Sequence, residues 1–183
     1  MPSGSVLDEF ARSIDVGALS TEQFLRLLET LHMLDVTGAG VELSSLSTEV
    51  LVDIVASASK DQLKALAGHP ELRPLFLEEV FRRMCDRFLP EKAKGADIVV
   101  SWRFPNGEDY DRFQTVIEDG TCVSTADCLL TPDTTLTIAV EDFLRMATGN
   151  AGVASLFVTG KLKVKGDYAP AVRFMSYFDV PKP

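Results

Sequence analysis

The sequence predicts an α+β protein, with a mostly antiparallel sheet of about five strands covered by helices on one side. Up to residue 94, nearly every segment has the apolar spacing of an amphipathic helix, which predicts an all-helical N-terminal region over residues 1–94. Over residues 95–183, short alternating stretches separated by Asn-Gly and Asp-Gly turns predict strands. A chain of 183 residues has room for one ordinary domain, or for a small domain with a helical appendage.

Four helices are predicted in the N-terminal region. Two of them begin at Ser-x-x-Gln capping boxes, at Ser20 and at Ser59, and glycines (Gly38 and Gly40, then Gly68) end them. Between these two helices, residues 48–58 form another. The fourth begins at Pro70 or at Pro74 and extends to about residue 89, because proline is tolerated only in a first helical turn.

The second region alternates strands with two helices. Strands are predicted over residues 96–104, 112–118, 121–127, 134–138 and 156–165. One helix, residues 141–148, precedes the fifth strand, and a last helix begins near Tyr168 with Asp167 as its N-cap. The apolar stripes of both helices must pack on the apolar face of the sheet. Periodicity alone does not distinguish a filled core from a hollow one.

The C-terminal part of the chain resembles the sterol carrier protein 2 family over about residues 97–178. Three features carry the resemblance: the segment FVTGKLKVKGD (157–167), the pair Asp142-Phe143-Leu144 and Thr148-Gly149, and the order strand, helix, strand, helix. The chain departs from the family pattern at Ala139, where a Ser or Asp usually caps the helix.

This resemblance implies a soluble, non-catalytic carrier that holds an apolar small molecule between sheet and helices. The ligand would be a fatty acyl, sterol or polyketide-like molecule, and the protein would serve lipid transport. The residues that the resemblance implies as the apolar lining are Val100, Trp102, Phe113, Phe143, Leu144, Val158, Leu162, Val172 and Met175.

Three lysines alternate along the predicted fifth strand. Lys161, Lys163 and Lys165 lie on the side opposite Leu162 and Val164. One interpretation is a positive patch that attracts anionic lipid headgroups or a transient membrane contact. The other is a solvated strand whose lysines discourage edge-to-edge pairing.

Residues for catalysis or metal binding are scarce. His32 and His69 are the only histidines, and neither has the spacing of a zinc site with a cysteine. The carboxylates that surround Tyr110 favour a solvated loop over a cation site. The sequence therefore predicts no catalytic residue, no metal and no cofactor. A formal net charge of -9 argues against nucleic acid as a partner.

The cysteines indicate the compartment. Cys85, Cys122 and Cys128 are odd in number and lack a Cys-x-x-Cys spacing, which predicts reduced thiols and a cytoplasmic protein. Cys122, in the third predicted strand, is expected to be buried and inert. The N-terminus lacks the pattern of a signal peptide, and no apolar run is long enough to span a membrane.

Two other functions compete with the carrier. The N-terminal helices could form an interaction or accessory module of a small-molecule biosynthetic pathway, docking a partner or forming a homodimer. An enzyme of such a pathway could use the same cavity, which only acids and a tyrosine near the sheet support.

Overall fold

The computed structural model of the chain describes residues 9, 12–36, 46–166 and 168–181, and within residues 31–36 it describes the backbone only. The expectations for Gly38, Gly40 and Asp167, and for the side chain of His32, lie outside these described parts.

The described residues form helices first and a sheet afterwards. The N-terminal helices are α1 (Thr21–Val36), α2 (Thr48–Ser57), α3 (Lys60–Gly68) and α4 (Leu72–Asp86). The sheet strands are β1 (Ile98–Asn106), β2 (Asp109–Glu118), β3 (Thr121–Thr125), β4 (Thr134–Ile138) and β5 (Leu162–Gly166). Helices α5 (Val140–Ala147) and α6 (Val153–Val158) lie between β4 and β5, and α7 (Tyr168–Ser176) follows β5. The predicted α+β class is confirmed.

The predicted capping boxes at the starts of α1 and α3 are present. At α1, the backbone N–H of Gln23 donates to Ser20 Oγ (3.1 Å), and the Ser20 N–H donates to Gln23 Oε1 (2.9 Å). Ser59 and Gln62 make the same reciprocal pair at α3. Each box satisfies two N–H groups that the first helical turn leaves without partners.

The strands are arranged in the order β3-β2-β1-β4-β5. The β1–β4 pair is parallel and the other pairs are antiparallel, so β3 and β5 are the two edges. Along β1, alternate residues from Ile98 to Phe104 are buried and face the helices. The predicted layout, a mostly antiparallel sheet with helices on one side, is confirmed.

An aromatic cluster fills the space over the centre of the sheet. The ring of Phe81, on α4, lies 5.6 Å from Trp102 and 4.8 Å from both Phe113 and Phe143. Phe174, on α7, lies 5.8 Å from Trp102. Helix α4 therefore covers the sheet together with α5 and α7, and buried side chains of α1 to α4 belong to the same core as those of the strands. The division between residues 94 and 95 stays a prediction.

Two arginines anchor α4 to its surroundings. Arg73 Nε donates to Asp111 Oδ2 (2.6 Å) in the β1–β2 hairpin, and another nitrogen of Arg73 donates to the Pro105 carbonyl (2.9 Å). Arg83 Nε donates to Glu79 Oε1 (2.7 Å), and its NH2 donates to the Leu46 carbonyl (2.6 Å). Since each guanidinium is about nine-tenths buried, these bonds compensate for its desolvation.

The predicted fifth strand is wrong over its first residues. Residues 156–158 belong to α6, Gly160 turns the chain with φ of +76°, and the strand begins only at Leu162. A short apolar run such as Leu-Phe-Val suits a helix and a strand equally, and here the turn at Gly160 separates the two elements.

The sequence predicts an apolar stripe of Tyr168, Ala171, Val172, Met175 and Phe178 on the last helix, and only part of this stripe is buried. Ala171, Phe174 and Phe178 face the core, whereas Tyr168 and Val172 are half exposed. Phe174 is the most deeply buried side chain of α7 and packs in the aromatic cluster against Trp102. With Phe174 facing the sheet centre, Val172 faces the edge of the sheet.

Candidate functional site

An apolar cavity lies beside the β5 edge of the sheet, under α6 and α7. Its volume is about 210 Å³. The strands supply Leu136, Leu162 and Val164, and the helices supply the rest of the wall: Met146, Val153, Ala154, Phe157, Tyr168, Ala171, Val172 and Met175. The only side-chain oxygen in this wall is the phenol of Tyr168, so the cavity offers a ligand almost nothing but apolar contact.

The position of the space follows from the sizes of the side chains on the inner face of the sheet. The aromatic cluster covers β1 and β2, whereas β4 and β5 carry no aromatic side chain on this face. In the parallel β1–β4 register, Trp102 lies opposite Leu136, so the last aromatic residue of the sheet is the neighbour of the first cavity residue. Beyond Leu136, no large ring from the strands fills the layer under α6 and α7, and a space remains.

The cavity opens between α6 and α7. The rings of Phe157 and Tyr168 meet across the two helices at a centroid distance of 4.8 Å. Phe157, Tyr168 and Val172 line the cavity and are 38%, 50% and 51% exposed, so they form its rim. Exposed apolar side chains of this kind often border a groove or cavity that binds an apolar ligand.

The helices around the cavity are weakly supported at their starts. Neither Ala139, before α5, nor Gly152, before α6, provides a side-chain hydrogen bond to the first turn. At Ala139 the missing cap costs on the order of 1 kcal/mol, whereas a glycine N-cap such as Gly152 costs only a few tenths of a kcal/mol. Helix α6 has only six residues, fewer than a helix needs to be stable by itself. Because it is so short, α6 depends on its tertiary contacts for its stability.

The loop before α6 is held firmly. Asn150 and Ala151 both donate their backbone N–H to the Arg145 carbonyl, at 2.7 and 3.1 Å. The side chain of Asn150 donates to Thr148 Oγ1 (2.9 Å) and to the Val52 carbonyl of α2 (3.3 Å). The N-terminal helices thus fix one end of the segment that closes the cavity.

The nine residues implied as a lining lie in three places. Leu162, Val172 and Met175 line the cavity. Val158 is 82% exposed on the outer side of α6, because the strand that would have turned it inwards is a helix. The remaining five are buried in the core away from the cavity wall: Val100, Trp102, Phe113, Phe143 and Leu144.

Sequence reasoning missed most of the cavity wall. Val153, Ala154 and Phe157 belong to α6, which was not predicted, and Met146 lies on α5 beside the residues that were. Gly152 and the Thr159-Gly160 pair are the signals that could have bounded this short helix.

The three lysines of the β5 segment are exposed. Lys163 and Lys165 alternate with the cavity residues Leu162 and Val164, which places them on the far side of the sheet. Lys161 lines a groove towards α3 and α5, whereas Lys165 lines a groove on the far face with Arg103 and Arg112.

Some of the other concave surfaces are wider than the apolar cavity, but their walls are charged. Three grooves of about 510–570 Å³ have acidic or basic side chains in their walls. Within the described ranges, no group of three histidine, cysteine or acidic side chains is arranged to hold a metal ion. No helix in the same part of the chain is long and apolar enough to cross a membrane.

The fold and the cavity define a class of protein: an α+β domain with an apolar chamber between its sheet and its covering helices. The model of the SCP-2 sterol transfer family matches residues 83–179, and the chain belongs to this family. The match begins inside α4, the helix that carries Phe81 and covers the sheet. No curated protein matches the sequence.

Two solved structures are similar to about half of this chain. Sterol carrier protein 2 from Yarrowia lipolytica, in its apo form, has a TM-score of 0.44 and 21% identity, covering 55% of this chain and 85% of its own. Palmitated SCP2L2 from Aedes aegypti has a TM-score of 0.48 and 16% identity, covering 57% and 95%.

One larger protein matches nearly the whole chain. The stereoselective inverting sec-alkylsulfatase Pisa1 from Pseudomonas sp. has a TM-score of 0.52 and 14% identity, covering 98% of this chain but only 32% of its own. The N-terminal helices and the sheet of this chain therefore recur together, as about a third of that protein. The similarity concerns the fold alone.

Proposed function

We propose that this protein is a carrier, not an enzyme, and that it holds an apolar small molecule in the cavity between β4–β5 and α6–α7. The 210 Å³ chamber with its almost entirely apolar wall is the observation that supports this proposal. Such a wall binds by excluding water and does not orient a reacting bond, because it has no pair of polar groups directed at one point.

The size of the chamber favours an acyl chain over a sterol. At about 27 Å³ per methylene group, 210 Å³ holds roughly eight methylenes at the density of a protein interior. A sterol needs roughly twice this volume, within the usual range of ligand pockets. An acyl chain can place one end inside and leave its carboxylate in water at the rim, near the Tyr168 hydroxyl.

Two measurements test the proposal. Native mass spectrometry of the purified protein should detect a bound lipid, and the delipidated protein should bind NBD-labelled stearate more tightly than NBD-labelled cholesterol. Expected affinity is modest and selectivity between chain lengths is low, because an apolar wall distinguishes one methylene by only about 1–3 kcal/mol. Absence of both a co-purified lipid and stearate binding would refute the carrier function.

We further propose that the rim faces an anionic membrane when the ligand enters. Val158 is largely exposed to solvent, next to the partly exposed Phe157 in the sequence. Together with Tyr168 and Val172, these residues form an apolar surface at the mouth of the cavity. The exposed lysines of the β5 segment provide positive charge at the same edge of the sheet, although Lys163 and Lys165 lie on its other face, in a chain whose net charge is -9. Anionic headgroups attract such lysines by about 1 kcal/mol each near the surface.

Vesicle co-sedimentation tests this contact. A Lys163→Glu/Lys165→Glu variant should bind phosphatidylserine vesicles more weakly than wild type. The charge-matched control, Lys92→Glu/Lys94→Glu, changes two exposed lysines that precede the sheet and should keep most of the binding. Equal loss in both variants would indicate a general charge effect. Equal binding by all three proteins would refute the membrane contact and favour the other interpretation, in which the lysines lie on a solvated edge strand.

A further inference from the structure

Two cysteines that are far apart in the sequence meet at the other edge of the sheet. Cys85 Sγ, near the end of α4, lies 3.0 Å from Cys122 Sγ, in the edge strand β3. Both thiols are free and partly buried, and the third cysteine, Cys128, is exposed. At 3.0 Å, the two sulfur atoms are only about 1 Å farther apart than the roughly 2.05 Å of a disulfide bond, so a small movement of the side chains would bring them to bonding distance.

Hydrogen bonds fix this pair in place. Cys85 Sγ also contacts Ser124 Oγ at 3.5 Å, and Ser124 Oγ lies 2.8 Å from Thr115 Oγ1. Thr115 Oγ1 in turn accepts a bond from Trp102 Nε1 (3.1 Å). A continuous polar chain therefore connects the thiols to the single tryptophan of the protein.

The two thiols differ in acidity. The hydrogen bond from Cys122, opposed by burial and supported by Ser124, lowers the pKa of Cys85 to about 7. The same hydrogen bond, with burial, raises the pKa of Cys122. The lower pKa makes Cys85 the more readily ionised thiol of the pair, with Cys122 as its hydrogen-bond donor when Cys85 is a thiolate.

Reagents can reach the pair. A groove of about 510 Å³ is lined by both cysteines, by Phe81 and Phe113 at its base, and by charged side chains of α4 that include Arg82 and Asp86.

We propose that Cys85 and Cys122 are a redox site that forms a reversible disulfide between α4 and β3, with Cys85 as the nucleophile and a hydroperoxide as the oxidant. The Cys85 thiolate attacks one peroxide oxygen, the O–O bond breaks, and the leaving oxygen takes a proton as an alcohol or water. The Cys122 sulfur then attacks the sulfenic acid at Cys85. The S–S bond forms, the S–O bond breaks, and the hydroxyl leaves with the thiol proton as water. A dithiol reductant restores both thiols by exchange.

Thiol counting on the full-length protein tests the site. After tert-butyl hydroperoxide treatment under native conditions, quenching and denaturation, wild type should fall from three titratable thiols to one, and dithiothreitol should restore three. The Cys128→Ser variant is the matched control, because it removes the exposed cysteine and keeps the pair; it should fall from two thiols to none. Cys85→Ser and Cys122→Ser should form no intramolecular disulfide.

Peptide mapping identifies the linkage. No lysine or arginine separates Cys122 from Cys128, so the map is made on the Cys128→Ser variant, where a tryptic link must join the peptides of Cys85 and Cys122. The emission of Trp102 should change on oxidation in wild type and in Cys128→Ser, and not in Cys85→Ser.

Several results would overturn the proposal. One is oxidation of Cys85 to sulfinic acid without a cross-link, and another is a cross-link from Cys85 to Cys128 in wild type. A third is a disulfide that forms no faster in the native protein than in urea, since the folded geometry would then contribute nothing. Fragmentation of the linked wild-type peptide distinguishes Cys122 from Cys128, so these points are decided even if a serine variant fails to fold.

Discussion

Filling the cavity should abolish most lipid binding. Ala171 is buried in the cavity wall on α7, and the Ala171→Phe substitution adds roughly 100 Å³ of side chain where the structure has open space. Because the cavity measures about 210 Å³, this ring occupies about half of it and displaces about four of the eight methylenes that it can hold.

The energy of this change can be estimated from transfer free energies. Eight buried methylenes contribute about 6 kcal/mol gross at 0.8 kcal/mol each, and removing four costs about 3 kcal/mol. This loss corresponds to an affinity about 100-fold lower. The fold should be little affected, because the ring enters a void instead of displacing packed side chains.

The assay is titration of NBD-labelled stearate into the delipidated protein, with thermal unfolding of each variant measured in parallel. Ala169→Phe is the matched control, because it makes the same substitution on the same helix at an exposed position outside the cavity wall. Ala169→Phe should bind as wild type does. If Ala171→Phe also binds with wild-type affinity and the same melting temperature, the ligand lies elsewhere and the reasoning from the cavity fails.

Three further predictions concern stability. Burial raises the pKa of Glu79, but the hydrogen bonds from Arg82 and Arg83 together outweigh it, so the pKa is lowered. The ionised Glu79 therefore adds to the free energy of unfolding above its unfolded pKa, and this contribution is lost as pH falls below about 4.5. Glu79→Gln should therefore cost about 2–3 kcal/mol at pH 7 and give a flatter acid limb in urea titrations than wild type; parallel curves would contradict this. Gly166→Ala should lower the free energy of unfolding by about 1–3 kcal/mol in the same assay, because φ is +100° and the new Cβ would lie 2.9 Å from the Asp133 carbonyl oxygen. Gly68→Ala is the control and should not destabilise the protein, because the space around Gly68 is open. Oxidation of the thiol pair closes a 37-residue loop and should raise stability by at most about 4 kcal/mol, seen as a melting temperature roughly 10 °C higher in wild type and unchanged in Cys85→Ser.

The sequence predicted the fold well where its signals were local. Ser20 and Ser59 have the side chains that capping requires, and alternation along Ile98 to Phe104 is an unambiguous strand signal; the structure confirms both. The short run Leu156 to Val158 has no such signal, since three apolar residues are compatible with either period. For these three residues, the packing against the rest of the fold determines that they form a helix and not a strand.

The candidate site was harder to predict, for a physical reason. A cavity is a difference between the volume that a backbone encloses and the volume that its side chains fill, and this difference depends on every element around it. The resemblance to the sterol carrier protein 2 family implied Trp102 and Phe143 as lining residues. In the structure their large size lets them fill the sheet centre, and the smaller Leu136 and Val164 border the space.

The cavity and the thiol pair lie at opposite edges of the sheet, which separates their effects. Cys85 and Phe81 share α4, so a disulfide to β3 would fix the helix that covers the aromatic centre. The cavity is closed by the short helix α6 and by α7 at the β5 edge. Since the filled aromatic layer lies between them, oxidation stiffens the part of the sheet that is already packed. We therefore expect the oxidised protein to be more stable and to bind stearate with unchanged affinity.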